Sequence, residues 1–216
     1  MKKAASVIKK ILLVIIATIA LIVFLTIRIF APSKEEKKLI SYLKEHEYNC
    51  IELKSAKVDT SNINVQFAIK SKEHFLEEAI DVKKRIESYA PDEYTKSTVN
   101  VDFDFDGIST LHFSNRPDYT NWDSEIPQGR RLSNKLIYAQ ISNSELWKDN
   151  LAPLKECYDV KVIELLNIED SKQISVIKDM KNLSLIRIVL SDKEFNKDKI
   201  KKELQASHPD CIVEVK

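Results

Sequence analysis

The chain has 216 residues, of which 44% are hydrophobic and 31% charged, and a formal net charge of +1. That balance is globular rather than disordered, and a charge so close to zero projects no field toward nucleic acid. Gly107 and Gly129 are the only glycines, so there is no glycine-rich phosphate cradle, neither GxGxxG nor GxxxxGK[ST], and no cofactor is expected.

Lys2, Lys3, Lys9 and Lys10 make residues 1–10 a short basic head. Ile11 to Ile27 is then an uncharged aliphatic run whose only polar side chains are Thr18 and Thr26. As a helix this run would rise about 25 Å, close to the thickness of a bilayer's hydrocarbon core. Arg28 can snorkel, which extends the expected transmembrane helix over residues 11–31, and Pro32 ends it. Thr18-Ile19-Ala20 has the form of a signal-peptidase site, but cleavage there would leave the apolar stub Leu21–Ile27, so a retained anchor is expected. Arg28, Lys34, Lys37 and Lys38 nearly balance the basic head under the positive-inside rule. The head placed before the run reads as a signal-anchor: a single-pass protein of the cell membrane, N-terminus cytoplasmic and the remainder extracytoplasmic.

Residues 33–131 read as an α+β unit. Ser33-x-x-Glu36 has capping-box form and opens a helix to about Glu47 with Leu39, Ile40 and Leu43 on one face. A short strand is expected near Ile51 to Leu53. Ile63, Val65, Phe67 and Ile69 then alternate with polar residues, the period of a sheet buried on one face. Ser71 to Tyr89 is expected to be helical, with the stripe Phe75, Leu76, Ala79, Val82, Ile86 and Tyr89 as a core face and Pro91 as its stop. Val99, Val101, Phe103 and Phe105 alternate again, Asp106-Gly107 reads as a two-residue hairpin turn, and Leu111 and Phe113 line the return strand. The order α-β-β-α-β-β predicts a two-layer sandwich.

Two features of this unit carry candidate chemistry. Asp102-x-Asp104-x-Asp106-Gly107 is similar to the opening of an EF-hand calcium loop, which makes Asp102, Asp104 and Asp106 weak candidate metal ligands. The twelfth loop position is Phe113, where a calcium loop needs a carboxylate, and alternation alone places Asp102 and Asp104 on a solvent face, so no metal is expected. The polar stretch from Arg116 to Arg131 contains Tyr119 and Trp122. Long loops are often functional, and Arg, Tyr and Trp are common at interfaces; Arg116, Tyr119 and Trp122 are therefore the candidate binding residues, against the alternative that the two rings merely cap a sheet edge. His112 is expected on the outer face of the hairpin, beside Asp104 or Asp102. No HxxxH, HExxH, GxSxG or SxxK is present, and no catalytic constellation is expected.

Residues 132–216 alternate apolar strands, near Leu136–Ile141, Val160–Leu165, Leu185–Leu190 and Ile212–Val215, with segments read as helical over Asn143–Cys157, Asp170–Met180 and Asp198–Ala206. That order suggests parallel βα units. Leu154-Cys157-Val160-Val162-Leu165 is matched 23 residues later by Ile177-Met180-Leu183-Leu185-Ile188, and Leu204 to Val213 closes with Pro209-Asp210-Cys211. This pattern resembles the leucine-rich repeat. The family's asparagine, which bonds backbone between turns, is replaced by Leu165 and Ile188. The resemblance implies a short stack of parallel strands and a protein-binding scaffold; a plain βαβ sheet explains the same residues.

Cys50, Cys157 and Cys211 are odd in number and widely spaced, which excludes a disulfide framework or a CxxC metal site. They read as buried hydrophobes, with a Cys157–Cys211 bridge as the one pairing to consider outside the cell. The expected protein is thus of α/β (α+β) class, membrane-anchored and extracytoplasmic, a binding module of the cell envelope with a protein or cell-surface partner. The alternatives are a small envelope enzyme acting on surface polymer or peptide, and a cytoplasm-facing membrane adaptor.

Overall fold

The computed structural model describes residues 15–22, 24, 31–59, 61–89, 97–116, 135–142, 151–168, 174–191 and 195–216. Residues 15–22 and 24 are helical and exposed. Among the described residues no helix is long and apolar enough to cross a membrane. The span expected over residues 11–31 is therefore not found among them, and both ends of the Ile11–Ile27 run lie outside them.

Helix α1, Lys34–Lys44, starts where the capping box puts it: Glu36 N donates to Ser33 Oγ at 3.1 Å and Ser33 N to Glu36 Oε2 at 2.6 Å. It stops three residues short of Glu47. Strand β1, Ile51–Val58, is longer than the expected Ile51–Leu53. A bulge between Leu53 and Ser55 interrupts its pairing with β2, Asn62–Ile69, and a bulge breaks the two-residue alternation by which a strand is read. Helix α2, Phe75–Tyr89, begins four residues after Ser71, because His74 sits at φ 59° in the left-handed region, where a helix cannot propagate. Strands β3, Thr98–Phe105, and β4, Ile108–Ser114, meet at Asp106 and Gly107, with φ 50° and 78°. Two successive positive φ values make the tight turn whose twist matches a hairpin.

The second half contributes β5, Tyr138–Ile141, β6, Val162–Ile168, β7, Leu185–Leu190, and β8, Ile212–Val215. Two short 3-10 turns, η1 at Ala152–Glu156 and η2 at Val176–Asp179, and helix α3, Lys197–Ser207, lie between them. Of the helix expected over Asn143–Cys157, the part at 143–150 lies outside the described residues and the rest is η1, where Pro153 at the start of the turn costs no internal hydrogen bond.

The eight strands among the described residues belong to one sheet in the order β1 to β8. β1 and β2 are antiparallel, β2 and β3 parallel across α2, β3 through β5 antiparallel, and β5 through β8 parallel. The two units read from sequence thus share a sheet, joined where β4 pairs β5 with Leu111 opposite Ile141. Val162 pairs Leu185 and Leu165 pairs Ile188, the same 23-residue offset found in the sequence. One point of that alignment is corrected. Leu165 and Ile188 face the main core with Ile163 and Ile186, whereas Val162 and Leu185 point to the opposite face and form a separate cluster with Tyr138.

The helices and turns cover one face. Leu39 and Leu43 of α1, Leu76, Ala79, Val82 and Ile86 of α2, Leu154 of η1, Ile177 of η2 and Leu204 of α3 close over the inward sheet residues in one continuous core. Phe67 stacks on Phe103 at 5.3 Å, and Phe113 meets Phe103 edge-on at 6.3 Å. A buried ion pair ties the halves: Lys83 Nζ lies 2.7 Å from Glu87 Oε1, each side chain 3% exposed, and the same oxygen accepts Leu136 N at 2.7 Å, just ahead of β5.

The three cysteines are free, which removes the Cys157–Cys211 bridge. Cys157 precedes β6 and Cys211 precedes β8, with β7 between. Two strand spacings are about 9.5 Å, beyond the ~7 Å a disulfide can span.

Candidate binding face

The face of the sheet opposite the helices carries an ordered array of polar side chains. Strand alternation puts every second residue there, and register decides which ones meet. One row crosses all eight strands as Ser55, Gln66, Asp102, His112, Gln140, Glu164, Arg187 and Glu214. The next row runs Lys57, Asn64, Asn100, Ser114, Tyr138, Val162, Leu185 and Ile212.

Most of these groups bond to a cross-strand neighbour. His112 Nδ1 lies 2.7 Å from Asp102 Oδ1. Gln66 Nε2 donates to Asp104. Asn100 Nδ2 donates to Asn64 Oδ1 at 2.9 Å, and Ser114 Oγ donates to Asn100 Oδ1 at 2.8 Å. Glu164 Oε2 accepts both Tyr138 Oη at 2.5 Å and Gln140 Nε2 at 2.9 Å. Arg187 Nε lies 3.1 Å from Glu214 Oε2. The Tyr138 ring meets the His112 ring edge-on at 5.8 Å.

The array has two parts of different accessibility. Over β6 and β7, Glu164 is 4% and Arg187 0% exposed. Burial at that level demands partners for both charges; Tyr138 and Gln140 supply them for Glu164, and the Glu214 carboxylate lies against Arg187. Over β2 to β4, Asn64 and Gln66 are exposed and Asn100, Asp102, Asp104 and His112 half-buried. There the polar groups are held in fixed rotamers by one another while remaining open to a ligand, which lowers the ordering cost of binding.

Of the residues singled out in the sequence, Asp102 and Asp104 lie on this face and Asp106 sits exposed in the hairpin turn. They are not brought together as a metal site: Asp102 is committed to His112 and Asp104 to Gln66, and among the described residues no three His, Cys, Asp or Glu side chains could hold an ion. His112 takes Asp102 rather than Asp104, because the pair faces directly across the β3–β4 register. Arg116 is exposed beyond the end of β4, where its N–H is bonded to Ser114 Oγ at 3.0 Å. Tyr119 and Trp122 lie outside the described residues. The buried thiol of Cys157 is pushed up to about 11 by desolvation, which outweighs the opposing pull of Lys83, and desolvation likewise pushes Cys211 up to about 11. Neither is a thiolate at neutral pH, so neither is a ready nucleophile.

Sequence reasoning missed Gln66, Gln140, Glu164 and Arg187, since only the strand register reveals that they form one row. Two side chains of the parallel half bond the backbone of the preceding turn. Asn182, at φ 68°, donates from Nδ2 to Tyr158 O at 3.3 Å, and Ser191 Oγ donates to Ile168 O at 2.9 Å. Each joins one turn of the parallel stack to the turn before it. Asn182 stands directly before Leu183 as Asp159 stands before Val160, a repeated pair that was visible in the sequence.

No family model, no curated protein and no solved structure matches the chain.

Proposed function

We propose that the chain is a membrane-anchored, extracytoplasmic binding module of the cell envelope, and that the polar sheet face over β2 to β5 receives its partner. The observation that carries this reading is the cross-strand row from Gln66 through Asp102 and His112 to Gln140. It is a rigid, hydrogen-bonded surface with donors and acceptors on both sides of the one imidazole. A partner of the same polar character, a surface polymer or a protein segment, would exchange hydrogen bonds with it. The parallel stack from β5 to β8, with its 23-residue offset and inter-turn side-chain bonds, supports reading residues 132–216 as leucine-rich-repeat-like. The uncharged run Ile11–Ile27 behind a basic head supports the anchor.

The Asp102–His112 pair favours a second reading, an envelope enzyme. A carboxylate that orients an imidazole is the arrangement of a general base. A nucleophile in line with the ring is what that reading additionally requires.

Two measurements test the proposal. With Cys50→Ser and Ile108→Cys in the full chain, a membrane-impermeant maleimide should label intact cells, because Ile108 lies exposed at the hairpin tip. Labelling only after lysis would place the domain in the cytoplasm. A photo-crosslinking residue at Gln66 should capture a partner in those cells, and one at Ala206 of α3 should not. The reverse pattern would remove the sheet face from the proposal.

A further inference from the structure

The helical layer has an open groove of about 470 Å³ lined by Lys84, Lys155, Glu156, Tyr158, Asp179 and Lys181. It lies where α2, η1 and η2 come together. Lys84 is held 3.7 Å from Glu156. Lys155 and Lys181 are exposed and lie within 4.0 Å of no carboxylate among the described residues. Tyr158, 58% exposed, is one of the few large hydrophobic side chains left in solvent among the described residues from 31 onward. Three lysines against Glu156 and Asp179, beside an aromatic ring with a polar tip, give the groove a small cationic excess and the chemistry that sits at a bilayer's headgroup level.

Three further observations place this groove relative to the anchor. Helix α1 begins at Lys34, seven residues after Ile27, a tether of about 24 Å at full extension. α1 packs in the same layer as α2, η1 and η2, against the same core. The layer continues through the Lys178–Glu203 ion pair, at 2.6 Å, into α3, where Lys197, Lys199, Lys201 and Lys202 are exposed together with Asp198. The polar sheet face lies on the opposite side, and its half-buried charges include Asp102 and Asp104. Over α1, α2, η1, η2 and α3 lysine and arginine outnumber the carboxylates by thirteen to ten, and this is the side on which the chain arrives from the hydrophobic run.

We infer that this helical layer docks on anionic lipid headgroups, with Lys155, Lys181 and Tyr158 at the contact, and so turns the polar sheet face away from the bilayer. The inference rests on the anchored reading above. Attraction of one lysine to an anionic leaflet corresponds to roughly fivefold in occupancy, and a short tether raises the local lipid concentration enough for such weak contacts to hold.

The test uses the full-length chain in lipid nanodiscs, one set of phosphatidylcholine and one containing phosphatidylglycerol. A pulse of an amine-acetylating reagent is read by mass spectrometry at Lys155, Lys181 and, as the reference on the sheet face, Lys57. In the anionic discs Lys155 and Lys181 should react about fivefold more slowly than in the neutral ones. Lys57 should be unchanged, and about 1 M salt should abolish the difference, because it shrinks the screening length to ~3 Å. Equal rates in both discs, or slowing of Lys57 to the same degree, would overturn the docking while leaving the anchor standing. If soluble glycerol phosphate protects both lysines in the neutral discs, the groove is a site for free anions and the lipid assignment fails. A chain that co-purifies with neither disc would remove the anchored reading first, and the docking with it.

Discussion

Glu87 shows how much one side chain can hold. Its Oε1 takes both the Lys83 ammonium and the Leu136 amide at 2.7 Å, and its Oε2 lies 3.6 Å from Lys135. With 3% exposure on both sides, removing one partner leaves an uncompensated buried charge. Glu87→Ala should therefore cost about 3–5 kcal/mol, measured by urea unfolding of a chain that begins at Ser33. The joint replacement Lys83→Met with Glu87→Leu should cost much less, since no charge is stranded. A single-variant loss below ~1 kcal/mol would mean that water reaches the pair. Phe103 and Asp102 are adjacent residues on opposite faces, and the same assay separates them. Phe103, fully buried between Phe67 and Phe113, should cost about 3–5 kcal/mol as alanine. Asp102, in a half-exposed pair with His112, should cost within about 1 kcal/mol. Cys157 gives a pH signature. Its folded thiol is pushed up to about 11 from an ordinary 9.0, so on going above pH 9 the unfolded chain loses its proton first. The stabilising contribution is complete below pH 9 and is lost as pH climbs toward 11. Cys157→Ala should flatten the fall of stability with pH in that window; an unchanged slope would show that the thiol is hydrated.

At the scale of elements, the β3–β4 hairpin is set by its turn. Asp106 and Gly107 both occupy positive φ, at 50° and 78°, and a Cβ added at Gly107 would meet nothing within 4 Å. Gly107→Ala should consequently lose about 1–2 kcal/mol through backbone strain alone, with the deficit visible as faster amide exchange along β3 and β4. A loss much beyond that would point to a packing clash the geometry does not contain. This hairpin was legible in the sequence because alternation, turn residues and length all agreed. The capping box before α1 was legible for the same reason, the paired residues being three apart. What could not be read were the features set by distant neighbours. The bulge in β1 disguised a strand of eight residues as one of three, and the left-handed His74 moved the start of α2. The face assignment of Val162 and Leu185 needed the register across three parallel strands. The candidate site was legible in fragments: Asp102 and His112 were anticipated as neighbours, whereas Glu164 and Arg187, buried charges in apolar strands, gain their meaning only from the strands beside them.

For the molecule as a whole, the sheet decides how it unfolds. A chain of two independent units would break where the composition changes, near residue 132. At that junction the structure has strand pairing instead: β4 and β5 are in antiparallel register from Leu111–Ile141 to Ser114–Tyr138. Beneath them a single core cluster runs from Leu39 to Val213, and Glu87 of α2 bonds the amide that leads into β5. Cutting at this point would expose two sheet edges and take the Glu87 carboxylate from the Leu136 amide. The energies that hold the halves together are therefore of the same kind as those within each half. We predict that the chain from Ser33 onward unfolds in one cooperative transition, with equal calorimetric and van't Hoff enthalpies, and that residues 132–216 made alone do not fold. Phe113→Ala, in β4, should lower exchange protection in β7 as much as in β3, because opening either requires opening both. Two resolved heat-absorption peaks, or a folded 132–216 fragment, would overturn this and show two domains, each with a core of its own.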